Sequence, residues 1–364
     1  MSILVLRSKK TGGYGGSFLR SKQVVNLAKH LAGSQTLVAE YPGLSSITIS
    51  NWLLGLLRHP LSTAPVAWRD PQAGLRLAAY AGFLNSIEAD PETIFWEPHT
   101  SPMDVAGYLI RKRWPRAQII AFPQNVEALV PKGNVEDFPN ARVSRFRKEV
   151  QALGAADIVA GISNIDTQIF SLFGLPAVRF PYIPELDRQQ LNDDLRKRRE
   201  SSKKNILLIL GSAQNPPTRM GMETQFRMID TAQRLAPKLK IVLAGRNLPT
   251  PPSETRKALR VVDSPTDAHL SDLFLHARAL WVHQALTTGS LVRVADALSA
   301  GLPVIGNLVA LQEYSDCPGT FPYDETPDAF AEAMVKLLGD NLTTPRLLPD
   351  PGLLERALLD VGSK

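Results

Sequence analysis

The stretch 287–304, TTGSLVRVADALSAGLPV, decides the fold of this chain. It predicts a loop, a helix and a tight turn into a strand, because apolar residues recur with the spacing of one helical face at Leu291, Val294, Ala295 and Leu298. Unpaired N–H groups and the helix dipole favour anions where a helix starts. The loop residues expected to bind a phosphate there are Thr288, Gly289, Ser290 and Leu291.

Asp296 lies inside this predicted helix, away from the apolar face. A carboxylate that binds sugar hydroxyls, close to a loop that binds phosphate, predicts a nucleotide-sugar site. The alternative is an ordinary capped helix in an α/β domain.

Size and charge narrow the class of protein. A single hydrophobic core stops growing at roughly 250–300 residues, so a chain of 364 residues is expected to form two domains. A net charge of +6 fits anionic partners, but no nucleic-acid-binding motif is present, so no nucleic-acid partner is expected. One cysteine and the lack of a long apolar run predict a cytoplasmic protein. The apolar and basic patch at residues 52–58 indicates a location peripheral to the inner face of the membrane, and a helix packed into its own core is the alternative.

Two series of apolar runs predict two sheets. The first series gives strands at residues 3–6, 36–39, 93–96, 118–122 and 158–161, and the second gives strands at 206–210, 241–244, 259–262, 279–282 and 303–305. Strands that alternate with helical patterns favour parallel sheets. The charged stretch 184–205 predicts a connection with a polar helix. The predicted domains are therefore 1–184 and 185–349, facing across a cleft, with a helix at 350–364 that packs back on the first.

A glycine-rich segment, KKTGGYGGS at residues 9–17, follows the first predicted strand. The dinucleotide fingerprint G-x-G-x-x-G fails here because Phe18 stands where the third glycine is required, and no G-K-[ST] completes a P-loop. Gly12 and Gly13 remain candidates for donor binding at a strand's carboxyl end, where α/β proteins bind ligands. A structural turn is the alternative.

Further donor-binding candidates follow two strands of the second domain. Gly211 ends one strand, and the loop after it carries Arg219, whose planar guanidinium suits a diphosphate. Arg246 and Asn247 end the next strand at the same sheet edge. Arg219 is the preferred catalytic cation, and Arg246 is the alternative.

Polar residues after two strands of the first domain are candidates for acceptor binding. His99 follows the strand that ends at Trp96, where an imidazole binds a hydroxyl or acts as a base. His99 is therefore predicted to be both catalytic and acceptor-binding, with a structural histidine as the alternative. Asn125 and Glu127 follow the next strand and are expected to orient acceptor hydroxyls.

Metal and hydrolase chemistry have little support in the sequence. His269, His276 and His283 fall in different predicted elements, and no Asp-x-Asp motif occurs. A G-x-S-x-G nucleophile elbow is missing too. No metal or other cofactor is expected.

At these residues the chain resembles the GT-B glycosyltransferases, and especially their retaining family 4. The segment DALSAGLPV at 296–304 resembles Glu-Ala-Met-Ala-x-Gly-x-Pro-Val, and QNVEA at 124–128 resembles a His-Asn-Val-Glu-Ala variant. ADIVAGIS at 156–163 and FPYIP at 180–184 resemble a strand and a hinge of the family. In its E-x7-E pair, Asp296 matches the second carboxylate and Thr288 replaces the first.

The resemblance implies two Rossmann-like domains and a glycosyltransferase that moves a sugar from a nucleoside diphosphate sugar to a saccharide or glycolipid acceptor in polysaccharide or glycoconjugate biosynthesis. It implies retention of configuration, and a ribose contact for Asp296. Two alternatives stay open: an epimerase of nucleotide sugars with the same fold, and a silent binding module, since Thr288 replaces a carboxylate.

Overall fold

The computed structural model describes residues 1–8, 16–41, 57, 71–98, 103–130, 139–184, 186–285 and 288–339. The chain divides into two compact units, one containing Met1–Leu129 and Phe138–Pro181 and the other containing Tyr182–Pro351. The predicted helix at 350–364 and the candidates Gly12, Gly13 and His99 lie outside the described residues, as does the patch at 52–58 apart from the exposed Leu57.

The first unit is built on a six-stranded parallel sheet with the order β2-β1-β3-β4-β5-β6. Its strands are β1 (Ile3–Ser8), β2 (Thr36–Tyr41), β3 (Thr93–Trp96), β4 (Gln118–Ala121), β5 (Ile158–Gly161) and β6 (Ala177–Arg179). Helices α1 (Gly16–Ala32), α2 (Pro71–Asn85), α3 (Met103–Arg113), α4 (Pro139–Leu153) and α5 (Asn164–Leu172) alternate with them.

Apolar side chains of β1 pack on both faces of this sheet. Ile3 and Val5 belong to one buried cluster with Val24 of α1, whereas Leu4 and Leu6 belong to another with Leu77 of α2. A strand buried on both faces needs a continuous apolar run, which is why the sequence predicts it clearly. The strand order reverses between β1 and β3, and at this switch point the carboxyl ends of the two strands lie side by side.

The second unit repeats the architecture with the order β12-β11-β10-β7-β8-β9, again all parallel. Its strands are β7 (Ile206–Ser212), β8 (Lys240–Arg246), β9 (Leu259–Asp263), β10 (Ala277–Val282), β11 (Val304–Asn307) and β12 (Thr320–Tyr323). Its helices are α6 (Leu186–Ser201), α7 (Pro216–Leu235), α8 (Ser253–Arg256), α9 (Asp267–His276), α10 (Val292–Ser299), α11 (Leu308–Leu311) and α12 (Pro327–Leu338).

Local sequence explains where several of these helices begin. Helix α7 starts at a Pro-Pro pair, and proline is tolerated in a first turn because its missing N–H would have no partner there. Helix α12 also starts with proline, and the side chain of Thr326 accepts a hydrogen bond from the N–H of Ala329. Behind them, Trp281 of β10 stacks on Phe330 of α12 with ring centroids 4.7 Å apart.

The sequence prediction of an α/β chain with two Rossmann-like parallel sheets is confirmed. The edge strands β6 and β12 were missing from the prediction, because one has three residues and the other contains Pro322, which weakens a strand pattern. None of the helices in the described part of the chain has both the length and the apolar character needed to span a bilayer.

Candidate active site

The switch point of the second sheet lies between β7 and β10, because β8 and β9 follow β7 on one side and β11 and β12 follow β10 on the other. The carboxyl ends of these two strands bring Gly211 and Ser212 near His283 and Gln284. Ligands of open α/β sheets bind at such a point. The predicted loop 288–291 leaves the same strand edge and enters α10.

Two glycines permit a very close approach of backbones beside this point. A Cβ atom on Gly245 would lie 1.7 Å from the carbonyl oxygen of Gly211, and Gly245 has a φ of 148°. A Cβ on Gly211 would lie 2.7 Å from Cγ2 of Thr218. Backbone excludes a side chain at Gly245, and the packed side chain of Thr218 excludes one at Gly211, so the end of β7 lies close to α7.

Gln284 is the centre of a buried polar network after β10. Its Oε1 accepts hydrogen bonds from Nη2 of Arg293 at 2.7 Å and from Oγ1 of Thr218 at 3.3 Å. Its backbone N–H and C=O both bind the side-chain amide of Asn307, at 3.0 and 2.9 Å. The network fixes the ends of β10 and β11 relative to the first turn of α10.

A second set of contacts holds this edge from β12. The ring of His283 lies 2.9 Å from Oε2 of Glu325 and 3.0 Å from the hydroxyl of Tyr323, which also accepts a hydrogen bond from Trp281. Burial lowers the pKa of His283, while the charge and hydrogen bond of Glu325 act in the opposite direction. The neutral imidazole is thus favoured, and it serves as a buried hydrogen-bonding bridge.

The predicted phosphate loop is fastened to the segment after α11. Ser290 Oγ lies 2.7 Å from the hydroxyl of Tyr314, and Gln312 donates to the carbonyl of Gly289 at 2.6 Å. Gly289 has a φ of 93°, a conformation that favours glycine. Thr288 is buried, and Leu291 is the N-cap residue of α10 without a capping side-chain hydrogen bond. These contacts hold the loop in place, and no capping side chain accepts a hydrogen bond from the first N–H groups of α10.

Asp296 is buried in α10, with 3 % of its surface exposed, although it lies off the apolar face of this helix. Helix α6 covers this side of α10, and Arg188 donates to both carboxylate oxygens of Asp296, at 2.9 and 2.6 Å. Burial raises the pKa of Asp296, and hydrogen bonds from Arg188 and Tyr182 act against this shift. The ribose-binding role of Asp296 stays a prediction. Arg188 would then position the carboxylate that makes this contact.

The two arginines predicted to bind the diphosphate are both exposed to solvent. Arg219 is exposed in the first turn of α7, and Arg246 is exposed at the end of β8. Asn247 follows with a φ of 50°, which asparagine tolerates better than most residues.

The predicted acceptor-binding residues of the first unit form a well-supported loop after β4. Asn125 donates to Oε1 of Glu127 at 3.1 Å. Behind them, both carboxylate oxygens of Glu149 accept backbone N–H groups, from Glu127 and Ala128, at 2.9 Å each. Asp166 accepts the N–H of Val126 at 3.1 Å. The loop therefore holds Asn125 and Glu127 in one arrangement, while their role in binding stays a prediction.

Burial raises the pKa of Glu149 to about 7, and the two backbone hydrogen bonds oppose the shift. The nearby charges of Glu127 and Asp166 raise it further. Glu149 is thus a buried carboxyl group that titrates near neutral pH behind the predicted acceptor loop.

At the switch point of the first sheet, Ser21 of α1 donates to Glu97 at 2.7 Å. The neighbouring Arg20 is buried, donates from Nη1 to Gln23 and to the carbonyl of Pro181, and lies over the ring of Phe180. These residues fix the first half of α1 at the carboxyl end of β3.

Four residues of these networks were not predicted from the sequence: Arg188, Glu149, Gln284 and Arg293. Arg188 and Glu149 lie in helices rich in charged residues, a composition typical of exposed helices, so nothing in the sequence indicated that they are at least partly buried. Arg293 offered one, because it is the single charge among the apolar residues Leu291, Val292 and Val294. Among the residues described, no group of three His, Cys, Asp or Glu side chains is arranged to hold a metal ion.

Comparison of the whole chain with solved structures identifies proteins of the same fold. An α,α-trehalose-phosphate synthase (UDP-forming) from Burkholderia vietnamiensis matches with a TM-score of 0.62 and 12 % sequence identity, over 100 % of this chain and 94 % of that one. A sucrose-phosphate synthase from Thermosynechococcus elongatus matches with a TM-score of 0.61 and 15 % identity, over 93 % and 90 %. HepE from Anabaena, in complex with UDP, matches with a TM-score of 0.59 and 11 % identity, over 100 % of both chains.

These neighbours are GT-B proteins, and the chain shares the GT-B fold with them. At 11 to 15 % identity the likeness shows the fold alone. No protein-family profile and no curated protein sequence matches the chain.

Proposed function

We propose that this chain is a glycosyltransferase that transfers a sugar from a nucleoside diphosphate sugar to a saccharide or lipid-linked acceptor. The observation that carries the proposal is the construction of one sheet edge. The switch point between β7 and β10, the fixed loop 288–291 and the uncapped start of α10 all lie there. Similar structures solved with UDP, or with ADP and acarbose, support a nucleotide sugar as the ligand.

The donor is proposed to bind to the second unit, with its diphosphate at the backbone amides of Gly289, Ser290 and Leu291. Preorganised N–H groups that point at developing charge lower the barrier of group transfer. Arg219 adds a positive charge, and its exposed position lets it follow the leaving group. No metal ion is needed if these groups carry the charge of the departing diphosphate.

Retention of configuration is the proposed outcome. The bond between the anomeric carbon and the donor phosphate oxygen breaks, and a bond to the acceptor oxygen forms on the same face. The acceptor's proton passes to the leaving phosphate, so no protein nucleophile is required. His99, Asn125 and Glu127 are proposed to orient the acceptor, and Glu149 supports the last two through the loop backbone.

A panel of UDP-, ADP-, GDP- and dTDP-sugars, incubated with and without saccharide acceptors, tests the proposal. Nucleotide release that depends on an acceptor, with a matching product mass, is the expected result. A rearranged nucleotide sugar without acceptor would instead identify an epimerase. Binding without any product would identify a silent module. NMR of the anomeric configuration of the product then decides between retention and inversion.

A lipid-linked acceptor and an anionic membrane surface are proposed as partners on the strength of the net charge of +6. Co-sedimentation with phosphatidylglycerol vesicles, but not with phosphatidylcholine vesicles, is expected. Equal recovery in both supernatants would reject membrane binding while leaving the transferase proposal intact.

A further inference from the structure

Arg293 stands in the first turn of α10 and points its guanidinium at the switch point of the second sheet. Nη2 donates to Oε1 of Gln284, two residues after the end of β10, at 2.7 Å. On the other side, a Cβ built on Gly211 of β7 would lie 3.9 Å from Cζ of Arg293. The cation thus sits between the carboxyl ends of the two strands that form the switch point.

The contacts of this guanidinium leave its charge uncompensated. The Nε atom is buried and has no hydrogen-bond partner among the described residues. The oxygen that Nη2 contacts belongs to a neutral amide and is shared with Thr218. Burial lowers the pKa of Arg293 to about 10, with no carboxylate in the described chain acting against it. A partly buried cation whose Nε has no partner and that has no counter-ion among the described residues costs stability, so its place here calls for a partner from outside the protein.

Two buried arginines show how the fold stabilises the charge of this side chain elsewhere. Arg199 of α6 donates to backbone carbonyls of Phe274 and Gly301. Arg20 of α1 has two hydrogen bonds from Nη1 and lies near the negative charges of Glu97 and Asp166. Arg293 has neither a set of carbonyl oxygens nor a nearby carboxylate, which distinguishes it from both.

We propose that Arg293 binds a phosphate group of the donor's diphosphate, an inference that rests on the proposed donor site. The guanidinium offers Nε together with an Nη group, and this pair of parallel donors matches two phosphate oxygens. Gly211 adds no side chain beside this guanidinium, and loop 288–291 directly precedes the helix that carries Arg293. Arg293, and not Arg219 alone, supplies the fixed positive charge of the site.

Isothermal titration with UDP, ADP and inorganic pyrophosphate tests this role, because pyrophosphate reports on the phosphate site independently of the base. Arg293→Met keeps the apolar stem and removes the charge. We expect it to weaken binding of pyrophosphate and of the preferred nucleotide about 10- to 100-fold, the loss of a charge-assisted pair. Arg293→Lys, which keeps a charge but not the paired donors, is expected to bind with intermediate affinity.

The matched control is Arg227→Met, since Arg227 is an exposed arginine on α7 of the same unit. This control is expected to bind all three probes like the wild type. Urea denaturation of the ligand-free proteins adds a readout that a structural role would lower. The free energy of unfolding of Arg293→Met should stay close to that of the wild type, because removing a partly buried charge without a counter-ion offsets the lost hydrogen bond to Gln284.

Equal affinity of wild type and Arg293→Met for a probe that both bind would overturn the inference alone, and so would a loss of stability without a loss of affinity. If the wild type binds none of the three probes, the proposed donor site fails and this inference fails with it. If Arg293→Met does not fold, Arg293→Lys decides, since unchanged pyrophosphate affinity in that variant contradicts paired hydrogen bonding.

Discussion

Arg188 of α6 and Asp296 of α10 form a two-pronged ion pair, with Nε–Oδ1 at 2.9 Å and Nη2–Oδ2 at 2.6 Å. The carboxylate is buried, while about a third of the Arg188 side chain is exposed. The pair fastens α6 to the helix that follows the predicted phosphate loop. Any ribose contact made by Asp296 therefore depends on where Arg188 holds it.

Breaking this pair should destabilise the second unit. Asp296→Asn and Arg188→Gln are each expected to lower the free energy of unfolding by about 1–3 kcal/mol, reduced from the fully buried case because water reaches Arg188. The double variant should lose less than the sum of the two, since both single changes remove the same interaction. Urea denaturation of the four proteins measures this coupling, and strictly additive losses would contradict it.

The ion pair of Arg196 with Asp193 is the matched control, because it lies on the same helix at 2.6 Å with Asp193 largely exposed. Arg196→Gln is expected to change stability by less than about 0.5 kcal/mol.

Gly221 of α7 is predicted to tolerate no side chain. A Cβ there would lie 1.8 Å from the carbonyl oxygen of His283, a backbone atom that cannot move aside. Alanine in a free helix position gains up to about 1 kcal/mol over glycine, whereas Gly221→Ala should lose about 3 kcal/mol through the clash. Thermal and urea unfolding measure the difference.

Gly154→Ala serves as its control. The nearest atom to a Cβ on Gly154 is 3.4 Å away, an ordinary contact, so a change within about 0.5 kcal/mol is expected. A similar loss of stability in both variants would show that glycine is not required at position 221 for the close approach of α7 to the end of β10.

Glu149 should make stability depend on pH in a defined window. Its pKa is about 7 in the folded chain and near 4.5 when unfolded, so only the unfolded state releases the proton as pH rises between these values. Stability from this group is therefore lost as pH rises from about 4.5 to 7, by at most about 3 kcal/mol. Glu149→Gln cannot titrate.

Urea denaturation of wild type and Glu149→Gln at pH 5, 6, 7 and 8 isolates the effect, because titrations that are not coupled to Glu149 cancel in the difference. The stability of the wild type relative to the variant is expected to fall across this series. A difference that does not change with pH would show that burial does not raise this pKa.

Arg219 is predicted to act on turnover and not on folding. Its exposed side chain makes Arg219→Gln structurally harmless, while kcat/KM for the donor found in the sugar panel should fall about 10- to 100-fold. Arg246→Gln is expected to retain the wild-type rate. If kcat/KM fell in Arg246→Gln and not in Arg219→Gln, the catalytic cation would be Arg246.

The sequence predicted the elements whose apolar residues follow a simple pattern. Strand β1 is apolar on both faces, and the helix after loop 288–291 follows one clear period, so both were found. Partners that meet across distant segments were not found. Nothing near Arg188 in the sequence indicates Asp296, and nothing near Glu149 indicates the N–H groups of residues 127 and 128, because tertiary packing alone brings them together.

The meaning of the charged stretch 184–205 also changed. Its composition predicts a connection between domains, yet three of its side chains bind atoms of the second unit. Arg188 binds the carboxylate of Asp296, and Arg199 binds the carbonyls of Phe274 and Gly301. Ser202 binds the carbonyl of Leu275. Composition distinguishes a polar helix from an apolar one, but it does not show that three of its polar groups are anchored.

Pro181 and Tyr182 are neighbours in the chain that belong to different units. The carbonyl of Pro181 accepts hydrogen bonds from Arg20 and Gln23, while the Tyr182 hydroxyl acts to lower the pKa of Asp296 in the second unit. A hybrid made by exchanging halves with another protein of this fold should therefore be spliced between these two residues. A splice at Asn205, where the second sheet begins, would pair α6 of one parent with the carbonyls and carboxylate of another, and such hybrids should aggregate.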